Sequence, residues 1–199
     1  MVVLAIGAHP DDIEYGCGGT LSKLSGDEKV HFLIFTHGEI SGDIWTRFFE
    51  ARDSSRIIGA NTTVWNYEDG DIPVDGESVG CLRRLIQNIK PDTIFTHHPE
   101  DLHQDHRNVA AITFSASKGI DNILCYPCPS TWDRFHPNYF VDITGQFETK
   151  MKMLKCHESQ ADKSYLSPDA IRNNAEYWAY HCLRNGRLYE AFEIRQVIT

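Results

Sequence analysis

Apolar positions in this chain fall into short continuous runs, separated by stretches with helical spacing. Val2–Gly7 is an unbroken apolar run, as expected of a strand buried on both faces. Val30–Thr36 reads as a second such strand, Thr62–Tyr67 as a third and Thr93–Thr96 as a fourth. Between them lie helical segments. Gly16–Leu24 begins the first. Thr46–Ile58 brings Phe48, Ala51 and Ser55 onto one side and stops at Gly59. Glu77–Ile89 sets Val79, Leu82, Leu85, Ile86 and Ile89 on one stripe and ends before Pro91. His106–Lys118 is the next helix. Asn122–Tyr126 and Tyr139–Ile143 are short strands, Gln146–Cys156 and Pro168–Arg184 are helices, and Leu188–Ile194 is a last strand.

Strands that alternate with helices specify an α/β domain with a mostly parallel sheet, because parallel neighbours need crossover connections. Such sheets bind ligands at the carboxyl ends of their strands, near the point where strand order reverses. The residues just after the first and fourth strands are therefore where chemistry is expected.

With 199 residues the chain fits one domain, 1–199, with no repeat, linker or low-complexity tract. Its formal charge of −9 and lack of any basic run argue against nucleic acid or an anionic membrane as partner. Met1–Ala8 lacks the basic flank and the length of a signal peptide, and no apolar stretch is long enough for a membrane span. The expected compartment is the cytoplasm, and the expected partner is a small molecule. A homo-oligomer is compatible with the sequence, which leaves that point open. Six cysteines (Cys17, Cys81, Cys125, Cys128, Cys156 and Cys182) sit mostly in apolar or mixed stretches and read as buried thiols. Cys125 and Cys128 form one C-x-x-C with no second pair, which reads as two thiols at a strand end rather than a redox or metal site.

The first strand runs into Ala8-His9-Pro10-Asp11-Asp12, and the fourth into His97-His98-Pro99-Glu100-Asp101-Leu102-His103-Gln104-Asp105-His106. Both are dense in imidazoles and carboxylates, the donors that suit zinc and similar divalent ions. A catalytic zinc typically takes three protein ligands and leaves a position for water. The glycines of Gly16-Cys17-Gly18-Gly19 invite a phosphate-binding reading, but Asp11, Asp12 and Glu14 separate them from the strand and would repel a pyrophosphate. They more simply let a helix start close against the sheet.

These two segments resemble the PIG-L/LmbE-like family of zinc-dependent N-deacetylases. The A-H-P-D-D motif stands at Ala8 to Asp12 and continues into Glu14 and the Gly16–Thr20 turn. The H-x-D-H motif stands at His103 to His106, followed by Arg107 and Val109. Further echoes are His37-Gly38-Glu39, Arg47-x-x-Glu50, His157-x-Ser159-Gln160 and Tyr189-Glu190-Ala191-Phe192, so the resemblance spans nearly the whole chain. It implies a Rossmann-like α/β fold with helices on both faces of the sheet. It implies that His9, Asp12 and His106 ligate zinc, a site that Fe2+ or Co2+ also suits. Asp11 would be the general base, and His103 would stabilise the oxyanion or donate a proton. Asp105 would orient a nearby imidazole. Arg47 is the candidate for binding sugar hydroxyls, with Arg52 as the residue easily confused with it. Gln104 stands where the family often has Pro. Asp11 and Asp12 are adjacent, and side chains of successive residues in an extended loop diverge, so only one is expected to face the metal squarely.

The implied activity is hydrolysis of the N-acetyl group of an amino sugar or sugar conjugate. The alternatives are an amidase or esterase acting on a non-sugar acyl group, and a metal-binding protein without turnover. His31, His136 and His181 read as ordinary surface or core histidines. One of His97 and His98 is a candidate to line the pocket, and His157 either reaches the site or caps a helix. Among Trp45, Trp65, Trp132 and Trp178, Trp132 is the best placed to stack on a sugar ring; the others read as packing residues.

Overall fold

The computed structural model describes residues 1–131 and 134–198; Trp132, and with it the ring-stacking expectation, lies outside the described residues. Among the described residues seven strands form one sheet: β1 (Val2–Gly7), β2 (Lys29–Thr36), β3 (Asn61–Tyr67), β4 (Thr93–His97), β5 (Asn122–Tyr126), β6 (Tyr139–Asp142) and β7 (Tyr189–Val197). Their order across the sheet is β3-β2-β1-β4-β5-β7-β6. β1 to β5 pair in parallel, whereas β7 runs antiparallel to both β5 and β6. This is the expected α/β architecture, with an antiparallel edge.

Helices cover both faces, as expected. Within β1 the side chains alternate. Val3 and Ala5 pack with Ile13, Cys17 and Leu21 of α1 (Asp12–Leu24) and with Ala51 of α2 (Ile44–Arg56). Leu4 and Ile6 pack on the other face with Leu82 and Ile86 of α3 (Gly76–Ile89) and Val109, Ile112 and Ala116 of α4 (Gln104–Ala116). The period-two alternation of a strand thus feeds two separate cores. A third core joins α5 (Phe147–Lys155), α6 (Pro168–His181) and the entry to β7 through Phe147, Met151, Leu154, Ile171, Ala175 and Leu188.

The first helix starts earlier than its glycines suggested, at Asp12 rather than Gly16. Asp11 takes φ 98° at the N-cap, which turns the chain into the helix at once, so this segment is a tight turn and not an extended loop. The glycines lie inside the helix and still serve close packing. A Cβ on Gly16 would sit 2.1 Å from Cδ2 of Tyr126, and one on Gly19 would sit 2.8 Å from Cδ1 of Ile143. Between β1 and β4 the strand order reverses, and the carboxyl ends of these two strands lead into α1 and α4. The switch point therefore falls between the two motifs singled out from the sequence.

Candidate active site

A pocket of about 310 Å³ opens at the switch point. His9, Asp11, Asp12, Arg47, His103 and His106 all line it. Asp12 is the first residue of α1, where a carboxylate is favoured by the unpaired amides and the dipole of a helix N-terminus. Its Oδ2 accepts the backbone N–H of His9 at 2.8 Å. Three imidazoles surround it: His9 Nδ1 at 3.4 Å, His106 Nε2 at 3.4 Å and His97 Nε2 at 3.2 Å. Burial disfavours charge on Asp12, but the neighbouring His106, through its charge and its hydrogen bond, and the hydrogen bond from His9 outweigh that cost and hold its carboxyl well below the usual range.

The two imidazoles that flank Asp12 from the pocket side are each held from behind. His9 Nε2 lies 2.9 Å from Asp69 Oδ1 and 3.2 Å from Asp105 Oδ2. Asp105 is itself fixed by the N–H groups of Gly70, at 2.7 Å, and Ile72, at 3.4 Å. His106 Nδ1 lies 3.3 Å from Asp101 Oδ1. Asp101 also accepts the His103 N–H at 2.8 Å, the Ser130 hydroxyl at 2.6 Å and the Thr131 hydroxyl. Burial opposes a proton on His106, yet Asp12 and Asp101 raise its pKa to about 9. A pocket wall that attracts a proton so strongly also attracts a metal cation, which competes for the same lone pair.

Asp11 occupies the opposite side of the Asp12 turn and is 7% exposed. Burial and the neighbouring Asp12 raise its pKa, against the pull of Arg47, His157 and Lys163. Its Oδ2 has no hydrogen-bond partner among the described residues, and Arg47 Nη1 stands 3.6 Å away. Arg47 donates from Nη2 to the Pro10 carbonyl at 2.8 Å, bracing the turn. Its guanidinium packs against Gly38, where φ is 68° and a Cβ would come within 2.7 Å of Nη2; only glycine leaves that room.

His103 is the N-cap of α4 and accepts the Asp105 N–H on Nδ1 at 3.3 Å. Burial, then the nearby His106 and His9, lower its pKa. A neutral ring that accepts at Nδ1 carries its proton on Nε2 and is a hydrogen-bond donor there. Its ring stacks on His106 with centroids 4.6 Å apart.

Among the described residues three groups of His, Cys, Asp or Glu have donor atoms close enough together to hold a metal ion: His9, Asp12 and His106; His9, His103 and Asp105; and His97, His106 and Cys128. The first is the set that the sequence motifs nominated. The third was not anticipated. His97 is fully buried behind Asp12; its Nε2 accepts the Ala8 N–H at 2.9 Å and its Nδ1 faces Cys128 Sγ at 3.5 Å. Burial lowers its pKa to about 4, so the ring is neutral. Neither His97 nor His98 lines the pocket; His98 Nε2 instead meets Glu193 at 3.1 Å. His157 makes no helix cap, and its Nε2 lies 3.1 Å from Glu14 Oε1 behind the Asp11 turn. All six cysteines are free thiols.

Sequence reasoning passed over Asp69, Tyr15, Ser130, Lys163 and Tyr165, all of which line the pocket, and Asp101 behind it. Asp69 could have been found: it follows the carboxyl end of a parallel strand, β3, where the same rule that located the two motifs applies. Asp101 stood inside the second motif segment but had no assigned role. Lys163 and Tyr165 lie beyond α5, far in sequence from either motif, and nothing local marks them.

The fold and the site define an α/β scaffold with an imidazole–carboxylate centre at its switch point. Residues 4–117 match the family described as PIG-L: GlcNAc-PI de-N-acetylase, and the chain belongs to that family. It is 35% identical over 168 residues to a protein of Escherichia coli K12 described as the uncharacterized deacetylase YaiS, spanning 79% of this chain and 90% of that one. It is similar to the solved N,N'-diacetylchitobiose deacetylase of Pyrococcus horikoshii, with TM-score 0.81 and 26% identity over 97% of this chain and 83% of that one. GalB of Pseudomonas putida KT2440, a 4-carboxy-2-hydroxymuconate hydratase, also shares the fold, with TM-score 0.86 and 16% identity over 100% of this chain and 97% of that one. Since a hydratase is built on the same scaffold, function has to be argued from the side chains at the site.

Proposed function

We propose that the protein is a zinc-dependent hydrolase that removes the N-acetyl group from an amino sugar or a sugar conjugate, and that residues 1–199 act as one deacetylase domain. One observation carries the reading. His9 and His106 each engage carboxylates through one ring nitrogen and turn the other toward Asp12. An imidazole that gives its N–H to a carboxylate keeps the opposite lone pair free and made more basic, as metal-binding histidines do. Two such nitrogens and a carboxylate are the three-donor set that a catalytic zinc takes. The other two groups suit an ion less well. His97 accepts an amide at Nε2 and so keeps its proton on the Nδ1 that faces Cys128. His103 already spends Nδ1 on the Asp105 amide.

When bound, zinc lowers the pKa of water to about 7 and polarises a carbonyl. The rest falls to the chain's own groups. Asp11 presents an unpartnered carboxylate oxygen beside Asp12 and takes the proton of the attacking water, then returns it to the leaving amine. His103 donates its Nε2 proton as a hydrogen bond to the carbonyl oxygen as negative charge develops there. Asp105 and Asp69 hold the His9 ring, and Asp101 holds His106. Arg47 braces the Asp11 turn and offers Nε and Nη1, which have no hydrogen-bond partner among the described residues, to substrate hydroxyls.

The test is a screen of metal-reconstituted protein against free, nucleotide-linked and glycosidically linked N-acetylhexosamines. Acetate should appear with at least one class, disappear with a chelator and return with zinc. Turnover of simple acyl esters and of none of these amides would reject the sugar deacetylase reading.

A further inference from the structure

α1 carries a glycine-rich stretch that the site chemistry does not use. Gly16, Gly18 and Gly19 stand in the middle of the helix. Each costs about 1 kcal/mol of helix stability relative to alanine, so the helix is weakest just behind the turn that holds Asp11 and Asp12. A buried ion pair is set against this stretch. Lys150 of α5 and Glu190 of β7 meet at 2.5 Å, and each is 4% exposed. Lys150 Nζ also donates to the Tyr15 carbonyl at 2.5 Å. Glu190 accepts the Gly19 N–H on Oε1 at 2.9 Å and the Thr20 N–H on Oε2 at 2.7 Å. In an uninterrupted α-helix the Gly19 N–H bonds the Tyr15 carbonyl. The ion pair therefore engages both ends of that rung.

Stability alone does not account for such a pair. Desolvating both charges offsets most of their attraction, and well-packed apolar groups often hold a core as well. What apolar groups cannot do is bond a carbonyl and two amides of a helix. The Tyr15 backbone carries the effect to the site. Its N–H donates to the Asp11 carbonyl at 2.9 Å, closing the turn that sets Asp11 and Asp12. Its ring lines the pocket and lies edge-on to Tyr165, with centroids 6.1 Å apart. The Lys150 ammonium stands 6.0 Å from the Tyr15 ring centroid. One lysine thus holds Tyr15 by its carbonyl and flanks its ring.

We infer that Lys150 and Glu190 are positioning residues for the reaction: they fix the first turn of α1, and through it Asp11 and Asp12, against the pocket. The inference rests on the deacetylase reading and adds to it two residues that lie outside the pocket and outside both motifs. Without the pair, the glycine-rich helix can close its own rung between Tyr15 and Gly19. The turn ahead of it then follows the helix axis instead of the site.

The test is the double variant Lys150→Met/Glu190→Leu, which removes both charges together and leaves neither buried alone. Its melting temperature should stay close to that of the wild type. With methyl N-acetylglucosaminide at saturating zinc, kcat should fall about 10–100-fold, the scale of a displacement of about 1 Å at a reacting group. KM should change by less than about 3-fold. In NMR, the NOE contact between the Tyr15 and Tyr165 rings should weaken while contacts within β1 persist. If the double variant does not fold, Glu190→Gln repeats the test. It keeps the shape and one acceptor oxygen, and its kcat should fall in the same direction by a smaller factor. A folded variant whose kcat, measured well below its melting temperature, stays within about 2-fold of wild type overturns the inference. A loss confined to KM overturns it as well, since the catalytic carboxylates would then be in place. If the wild-type protein releases acetate from no N-acetylhexosamine, the deacetylase reading fails by itself and the ring contact decides. A weakened Tyr15–Tyr165 contact supports the positioning of the turn, and an unchanged one overturns it.

Discussion

Asp101 offers the sharpest test of how the site is held together. Its Oδ1 takes the His106 ring at 3.3 Å, the His103 amide at 2.8 Å and the Ser130 hydroxyl at 2.6 Å, while Oδ2 takes Thr131. Asp101→Asn can keep its oxygen at the Oδ1 position and turn its NH2 toward Thr131, whose hydroxyl can rotate to accept. The hydrogen bonds survive and only the negative charge behind His106 is lost. Removing a carboxylate behind a metal-bound histidine typically costs about 10–100-fold in metal affinity, or about 1.4–2.7 kcal/mol. Because the geometry persists, Asp101→Asn should fall near the lower end. Asp101→Ala removes the support as well. It frees the His106 ring to rotate and leaves the part-buried His103 N–H without its acceptor, an added cost of about 1 kcal/mol in stability. Zinc affinity is read by competition with a chromogenic chelator, stability by thermal melting, and kcat at saturating zinc by acetate release. The expected order of zinc affinity is wild type, then Asp101→Asn, then Asp101→Ala. A folded Asp101→Ala that binds zinc within about 3-fold of wild type would refute the claim that this carboxylate prepares His106 as a ligand.

Two further substitutions bear on separate links in the argument. Asp11→Asn suits its backbone, since Asn tolerates positive φ better than other non-glycine residues, and it removes only basicity. Activity should drop by about 10²–10⁴ with zinc content intact, whereas Asp12→Asn should lose zinc. Near-full activity in Asp11→Asn, or zinc loss there and not in Asp12→Asn, reverses the roles. Gly16→Ala should lower the melting temperature, because the new Cβ would lie 2.1 Å from the Tyr126 ring, which is itself tied to the Ile6 carbonyl by a 2.7 Å hydrogen bond. Overpacking of this kind costs about 1–3 kcal/mol, and an unchanged melting curve would show that helix and strand can separate at no cost.

The fold was legible because burial on two faces leaves a strong local signature. The apolar runs of β1, β2 and β4 need no neighbour to be recognised, and the stripe of α3 announces its face. Where the reading slipped, a single backbone conformation was responsible. The positive φ of Asp11 starts α1 four residues early; aspartate is a favoured N-cap, but that preference is shared by Asp11 and Asp12 and does not by itself say that the helix begins there. Alternation along β4 also accounts for the two histidines that were left open. His97 ends the strand and points into the core behind Asp12, and His98, one residue on, points the other way toward Glu193. Adjacent positions on a strand cannot serve the same pocket.

The site itself divides by how far each group acts along the chain. His9, Asp12, His103 and His106 lie on two short segments, so their convergence follows once β1 and β4 are known to be neighbours. The groups that aim those side chains come from elsewhere. Asp69 follows β3, two strands away from β1 in the sheet, and Ser130 and Thr131 follow β5. No spacing rule links such positions, because their proximity exists only after the sheet has assembled. Yet they decide which ring nitrogen is free. By proximity alone the described residues offer three overlapping groups that could hold a metal, two of which share His9 and two His106. The hydrogen bonds at the far side of each ring separate them. His9 and His106 turn toward Asp12 a ring nitrogen whose proton a cation can displace, while the Ala8 amide binds the His97 nitrogen that also faces Asp12. The motif names the donors, but on the proposed reading it is the carboxylates and amides behind them that would make two of these imidazoles ligands and leave the third as a prop.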